Sequence, residues 1–168
     1  MNRIVRYTEI ATPLGTLRIA ATDAGLIGIA FEGDRYAPST GAAWIRDPGF
    51  PALRAAAAQL SEYFAGRRTA FDLPLAAVGT SFQRSVWTAI ATVAAGETIS
   101  YAELARRAGC PGSARAAGAA TGRNPLAIVV PCHRIIGSDG SLTGYAGGLD
   151  RKRALLAHEQ TSFELRAA

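Results

Sequence analysis

The stretch that most constrains this chain is Ile128-Val129-Val130-Pro131-Cys132-His133-Arg134-Ile135-Ile136. An apolar, β-branched run meets a proline, then a thiol, an imidazole and a guanidinium, then apolar residues again. Flanks of this kind are buried, so the polar trio is expected inside a core and not on a loop tip. Pro131 cannot donate to a sheet ladder and ends the expected strand. Cys132 then opens a helical turn, where backbone N–H groups favour a thiolate. A thiol beside an imidazole is the minimum set for nucleophilic sulfur chemistry, because the thiolate is the strong nucleophile. The same pair also fits a buried cysteine beside a satisfied core histidine, the commoner fate of a free thiol.

With 168 residues, 49% of them apolar, the chain is long enough for a real core in one or two small domains and is not of disordered composition. No apolar run approaches the roughly 18 residues of a membrane span. The start, Met1-Asn2-Arg3-Ile4-Val5-Arg6, lacks the apolar region of a signal peptide. A cytoplasmic location follows as an expectation, with both cysteines reduced. The net charge is +5, nearly all of the basic side chains being arginine. Residues 1–79 hold 8 basic and 7 acidic side chains and residues 80–168 hold 10 and 6, so the excess lies in the half that carries Cys132. Such an excess fits nucleic acid or mere solubility.

The N-terminal part reads as a small antiparallel sheet: Val5–Ile10, Thr16–Thr22 and Leu26–Phe31 are short, β-branched and separated by turn formers. Residues 32–50 read as a loop. Pro51 opens a helix to Phe64 whose apolar face is Leu53, Ala57, Leu60 and Phe64, and Phe71–Leu75 is a candidate strand. A boundary near Ala76–Gly79 divides the chain into a scaffold domain, 1–76, and a C-terminal domain, 77–168. Thr80 and Ser81 cap a helix through Val86, Trp87 and Ile90 to about Ala95, stopped by Gly96.

Ser100-Tyr101-Ala102-Glu103 has the form of a capping box. The helix it opens ends at Gly109. After the turn Cys110-Pro111-Gly112, Ser113 is placed to cap a second helix, Ala114–Thr121. Two short helices about a tight glycine turn make a helix-turn-helix or an ordinary helical hairpin. Arg106, Arg107, Arg115 and Arg123 favour DNA. The second helix, rich in Ala114, Ala116, Ala117, Gly118 and Ala119, has almost no side chains to read bases, so binding through phosphates with little sequence preference is expected. Residues 137–148 form a Gly-rich, hairpin-like segment. Asp150–Glu159 is a closing helix with Leu155 and Leu156 inward. The fold class is therefore α/β (α+β): a small antiparallel sheet with a helix, then a mostly helical part with a (winged) helix-turn-helix.

The run around Cys132 closely resembles the active-site motif of the O6-alkylguanine-DNA alkyltransferases, also known as methylated-DNA–protein-cysteine methyltransferases. The resemblance extends upstream through Gly118-Ala119-Ala120-Thr121-Gly122-Arg123-Asn124-Pro125. Downstream it takes in Thr143-Gly144-Tyr145-Ala146-Gly147-Gly148-Leu149 and Leu155-Leu156-Ala157-His158-Glu159. It implies direct reversal of O6-alkylguanine, with O4-alkylthymine as a lesser substrate. The partner is double-stranded DNA, bound through the minor groove with the damaged base extruded. It implies a monomer that clusters on DNA, no membrane, and no cofactor, because the thiol itself accepts the alkyl group.

By that resemblance Cys132 is the nucleophile, His133 its proton acceptor through a bridging water, and Glu159 the carboxylate that orients His133. Read without it, Glu159 is a solvated acid at a helix end. Asn124, confined to extended or turn geometry by Pro125, ties the DNA-binding helix to the cysteine turn, or is a plain turn asparagine. Tyr101 matches the tyrosine that donates to O6 of the flipped guanine, and reads otherwise as a half-buried aromatic. Tyr145, Ala146 and Gly147 match the loop lining the base pocket, and Ile135 and Cys132 supply carbonyls to the guanine amino group. Arg115 matches the arginine that fills the emptied stack. Ser113, Ala114, Gly118, Thr121 and Arg123 are assigned to the DNA face; Arg134 reads as a structural ion-pair or interdomain residue.

Two departures stand out. Thr121 occupies a position where relatives carry other side chains against the base, and no Cys or His precedes Cys110, so the N-terminal zinc of some relatives is not expected. Cys110, Cys132, His133 and His158 lack finger spacing, and metal binding would consume the nucleophile. The rival functions are a non-enzymatic DNA-binding sensor or regulator, against which Cys132 argues, and a cysteine hydrolase, which would turn over repeatedly.

Overall fold

The computed structural model describes residues 4–37 and 43–167. They form two compact units. The first runs to Val78 and also takes in Pro125–Ala127; the second holds Gly79–Asn124 and the chain from Ile128 onward.

In the first unit β1 (Val5–Thr12), β2 (Gly15–Thr22) and β3 (Gly25–Phe31) form an antiparallel meander. The segment 32–50, expected as loop, contributes a fourth strand, β4 (Trp44–Arg46), parallel to β1; the sheet order is β3-β2-β1-β4. Part of that loop, 38–42, lies outside the described residues. The expected strand at Phe71–Leu75 reduces to one bridge, Leu26 to Leu75. Helix α1 (Pro51–Phe64) starts at its proline and buries Leu53, Ala56, Leu60 and Tyr63. The buried stripe is thus rotated from the expected one: Tyr63 is inside and Phe64 half-buried. Both choices satisfy helical spacing, so packing on the sheet decides between them. Leu17, Ile19, Phe31, Leu53 and Leu60 are fully buried, each contributing about 1.5–3 kcal/mol.

The second unit is mostly helical. Helix α2 (Ser81–Ala91) opens on a complete capping box: the Gln83 backbone N–H donates to Thr80 Oγ1, and the Thr80 N–H to Gln83 Oε1. It ends about four residues before the expected Ala95. Thr92 Oγ1 donates to the Ala89 carbonyl, and the Val93 N–H to the Ile90 carbonyl three residues back, which tightens the last turn. Strand β5 (Ile99–Ser100) pairs in parallel with β6 (Ile135–Ile136), joining the entrance of helix α3 (Tyr101–Arg107) to the residues just after the Cys-His-Arg trio. Helix α4 (Ala114–Gly122) packs on α2 and α3. Gly109 turns the chain out of α3 with a φ of 77°, a conformation costly for residues with a Cβ. The closing helix α5 spans Leu149–Ala167, beyond the expected Glu159. Leu155 is fully buried and Leu156 half-buried. The fold is a mixed α/β architecture with a small N-terminal sheet and a mostly helical C-terminal part.

Candidate active site

The strand expected before Pro131 is absent. Residues 127–130 form turns, and Ile128 has a φ of 71° while almost wholly buried. A β-branched residue in the left-handed region is strained by about 1–3 kcal/mol and persists only where its surroundings over-determine it. Here the surroundings are specific. The Pro125 carbonyl accepts from the Ile29 N–H and the Ala127 N–H donates to the Ile29 carbonyl, holding the chain just before Ile128. Just after it, Asn124 Nδ2 donates to the Val130 carbonyl at 2.8 Å. Asn124 thereby links the end of α4 to the approach to Cys132.

Cys132, His133 and Arg134 form one 3-10 turn, all three buried. His133 Nε2 lies 2.7 Å from Glu159 Oε1 on α5. Arg134 grips the same carboxylate with two bonds, Nε to Oε2 at 2.9 Å and an Nη to Oε1 at 2.8 Å, and its other Nη donates to the Val93 carbonyl. Burial alone would raise the Glu159 carboxyl; the hydrogen bonds from His133 and Arg134 and their charge outweigh it and hold the group well below the ordinary carboxylate range. Burial lowers His133, against the opposing pull of Glu159, so the imidazole is neutral at physiological pH. With an ionised carboxylate at Nε2, the proton sits on Nε2 and Nδ1 is left as an acceptor. That Nδ1 is buried and has no hydrogen-bond partner among the described residues. A neutral imidazole with a buried acceptor nitrogen, oriented by an anion, next in sequence to a thiol, is the equipment of a general base.

The Tyr101 hydroxyl, on the first turn of α3, donates to the Thr143 carbonyl at 3.0 Å, and burial raises the phenol so that it stays a donor. Gly118 of α4 lies directly against this ring: a Cβ there would meet Tyr101 Cδ1 at 3.4 Å. Tyr145, Ala146 and Gly147 are half-buried in the turn before α5, and the Gly147 carbonyl accepts from Arg151.

On α4, Arg115, Ala119 and, at the C-cap, Arg123 recur every four residues and are exposed, forming one arginine-tipped face. Several expectations for this region need correction. Thr121, assigned to the DNA face, is buried and its hydroxyl donates to the Ala117 carbonyl one turn back. Ser113 and Ala114 are half-buried, and Ser113 makes no side-chain cap, its backbone not being extended. Ser100 does cap α3, but the Glu103 carboxylate turns away from the cap to bind Arg106 and Arg107, and Arg107 also pairs with Glu97. Two cations and two anions cancel there, so Arg106 and Arg107 add no net charge to a phosphate-binding face.

Sequence reading missed Lys152. It is fully buried on α5, and its ammonium donates to the carbonyls of Ile135 at 2.5 Å and Thr143 at 2.9 Å. The Ile135 carbonyl, assigned to the guanine amino group, accepts from Lys152 through one of its two lone pairs. A signal was present: among 18 basic side chains Lys152 is the single lysine.

Two family models cover the chain: the ribonuclease-like domain of 6-O-methylguanine DNA methyltransferase matches residues 5–77, and its DNA-binding domain matches residues 81–161. The chain belongs to the 6-O-methylguanine DNA methyltransferase family. Among its relatives, the methylated-DNA–protein-cysteine methyltransferase of Mycolicibacterium paratuberculosis is 49% identical over 94% of this chain and 93% of its own length. That of Methanosarcina barkeri is 46% identical over 93% and 98%. The crystal structure of Mycobacterium tuberculosis OGT in complex with DNA superposes with a TM-score of 0.87 at 46% identity, covering 94% of each chain. No helix among the described residues is long and apolar enough to cross a membrane.

Proposed function

We propose that this 6-O-methylguanine DNA methyltransferase family member repairs DNA by direct reversal. It transfers the alkyl group of O6-alkylguanine in double-stranded DNA irreversibly to Cys132, with O4-alkylthymine as a lesser substrate. The observation that carries the reading is the buried relay beside the thiol: Arg134 and His133 share the Glu159 carboxylate, leaving His133 Nδ1 as the acceptor.

His133 Nδ1 takes the Cys132 proton through a water, and Glu159 stabilises the imidazolium that results. The thiolate attacks the alkyl carbon attached to O6. The S–C bond forms as the C–O bond breaks, and the electron pair leaves with the guanine, which recovers a proton. The product is a thioether, which no side chain hydrolyses under mild conditions, so each molecule acts once. A cysteine hydrolase would instead cleave its thioester and turn over.

The thiol cannot reach O6 inside a stacked duplex, so the base must be extruded. Helix α4 lies in the minor groove with its small residues, Gly118 among them, close to the backbone, and Arg115 enters the vacated stack. Arg123 holds phosphate. Tyr101 exchanges the Thr143 carbonyl for O6, while Tyr145, Ala146 and Gly147 line the base pocket and the Cys132 and Ile135 carbonyls face the guanine amino group. Asn124 keeps the groove-binding helix and the cysteine turn in register. The protein acts in the cytoplasm as a monomer that clusters on DNA, and the thiol makes a cofactor unnecessary. Intact mass spectrometry after mixing with an O6-methylguanine duplex tests this. One added methyl, located on Cys132, is expected, and repair should plateau at one lesion per molecule. Continued turnover, or no methyl on Cys132, refutes the mechanism.

A further inference from the structure

Helix α4 is poorly built to stand alone. It has nine residues, below the roughly 12–15 that an isolated helix needs in water. Gly118 and Gly122 are the weakest helix formers after proline. Ser113 gives it no side-chain cap, and its buried face, Ala117, Ala120 and Thr121, offers only short side chains to the core. A helix of small residues can approach a nucleic-acid backbone closely, but its position must then be set by its neighbours.

Trp87 on α2 does this. The indole is buried, and its Nε1 donates to the Ala120 carbonyl at 2.9 Å. That carbonyl is one of the last four of α4, which lack regular helical partners. It also accepts from the Arg123 N–H at 3.2 Å. The indole therefore grips the turn that leads to Arg123 and to Asn124, whose Nδ2 donates to the Val130 carbonyl. The opposite edge of the ring is equally confined. A Cβ on Gly79 would meet Trp87 Cη2 at 2.6 Å and Cζ3 at 2.7 Å, so no side chain fits between that backbone and the ring. The backbone is itself pinned, because the Gly79 carbonyl accepts from Arg84 and the Thr80 N–H donates to Gln83. The ring thus lies between a fixed stretch of chain and the last turn of α4, and its one polar atom is spent on the helix. A ring needed for volume alone would be met by an apolar side chain with no N–H to satisfy.

We propose that Trp87 is a positioning residue for DNA: its indole N–H fixes the last turn of α4, and with it the presentation of Arg115 and Arg123 to the duplex. The proposal rests on the reading that α4 seats DNA. Two variants disturb the contact from opposite ends. Trp87→Phe deletes the N–H and the far edge of the ring, while the Ala120 carbonyl keeps the Arg123 N–H. Gly79→Ala keeps the N–H but drives the ring from its place; it changes no core side chain, and keeps the proposal testable should Trp87→Phe unfold. Urea unfolding identifies the folded variants. Each is then titrated with an undamaged fluorescent duplex and assayed for its single-turnover rate with free O6-benzylguanine. A displaced helix lowers the binding-competent fraction, and apparent affinity falls by the same factor. Each single variant should bind duplex about three- to tenfold more weakly, the scale of one net hydrogen bond. The rate with O6-benzylguanine should stay within about twofold. The double variant, Gly79→Ala with Trp87→Phe, should bind no more weakly than Trp87→Phe alone, because phenylalanine has no far edge for the added methyl to displace. Unchanged duplex affinity in the folded single variants, additive losses in the double variant, or a parallel loss of the O6-benzylguanine rate overturns the proposal and leaves Trp87 a core residue. An unaltered protein that reacts with O6-benzylguanine but binds no duplex would instead overturn the reading of α4.

Discussion

Glu159→Gln is the most informative single change, because the substitution is nearly isosteric and the consequences for folding and for chemistry separate. In the native protein the carboxylate is hydrogen-bonded by His133 and, through two bonds, by Arg134. Glutamine keeps one acceptor oxygen and presents an NH2 where the other was, so at least one donor meets a donor. It also deletes the anion, leaving the buried Arg134 guanidinium uncompensated. Breaking a buried pair from one side costs about 3–5 kcal/mol. The chemical effect is distinct: without the anion His133 loses its orientation and the stabilisation of its imidazolium, and general-base assistance of this kind contributes about 100- to 10,000-fold. Urea unfolding at neutral pH measures the first effect, and the single-turnover rate with free O6-benzylguanine, which needs no base extrusion, measures the second. The pairing with Arg134→Met is decisive. Removing the orphaned guanidinium should recover part of the stability, less about 1–3 kcal/mol for the Val93 carbonyl left without its donor, while the rate stays low. If Glu159→Gln reacts within about threefold of the unaltered protein, a fraction of a kcal/mol by transition-state arithmetic, the relay is not the base. Acid should strike the same cluster. His133 is lowered from 6.5 and Glu159 from 4.5, so both favour folding at higher pH. Stability should fall below about pH 6.5 as the unfolded chain takes up the histidine proton, and again below about 4.5 as it takes up the carboxyl proton.

Three further outcomes are expected. Arg115→Ala should react with free O6-benzylguanine at nearly the normal rate yet be about ten- to a hundredfold slower on alkylated duplex at saturating DNA; equal loss on both would make it a fold residue. Burial lowers Lys152 from 10.5 to about 8, so between about pH 8 and 10.5 the unfolded chain binds the extra proton and stability should rise with pH. That rise should be missing from the urea-denaturation profile of Lys152→Met, and an identical profile would show the site is not desolvated. Because Glu97, Glu103, Arg106 and Arg107 sum to zero, the neutral deletion Glu103→Ala with Arg106→Ala should leave the salt dependence of duplex affinity unchanged, whereas Arg115→Ala should reduce its slope by about one; a comparable loss from both would return the α3 pair to the DNA face.

Local sequence was enough wherever one stretch of chain holds the whole cause. The Pro51 helix start, the capping residue Thr80 and the three meander strands are set by proline geometry, side-chain caps and alternation over a few residues. The Pro-Cys-His-Arg run announced reactive chemistry for the same reason. What only the tertiary structure decided depends on partners far apart in the chain. Nothing local says that α1 turns Tyr63 inward in place of Phe64, that Ile128 takes a left-handed turn where β-branched residues suggest strand, or that Arg106 and Arg107 are neutralised by Glu97 and Glu103. Glu159 lies 26 residues from His133 and 25 from Arg134; spacing alone equally allows a solvated acid at a helix end, and only folding lays α5 along the cysteine turn and buries the carboxylate between two donors. Lys152 is the sharpest case. Its neighbours Arg151 and Arg153 suggest one basic, solvated run, and the period of α5 alone turns the middle residue inward. Whether a buried ammonium is satisfied depends on carbonyls 9 and 17 residues back in the chain, and carbonyls leave no trace in a sequence because every residue carries one.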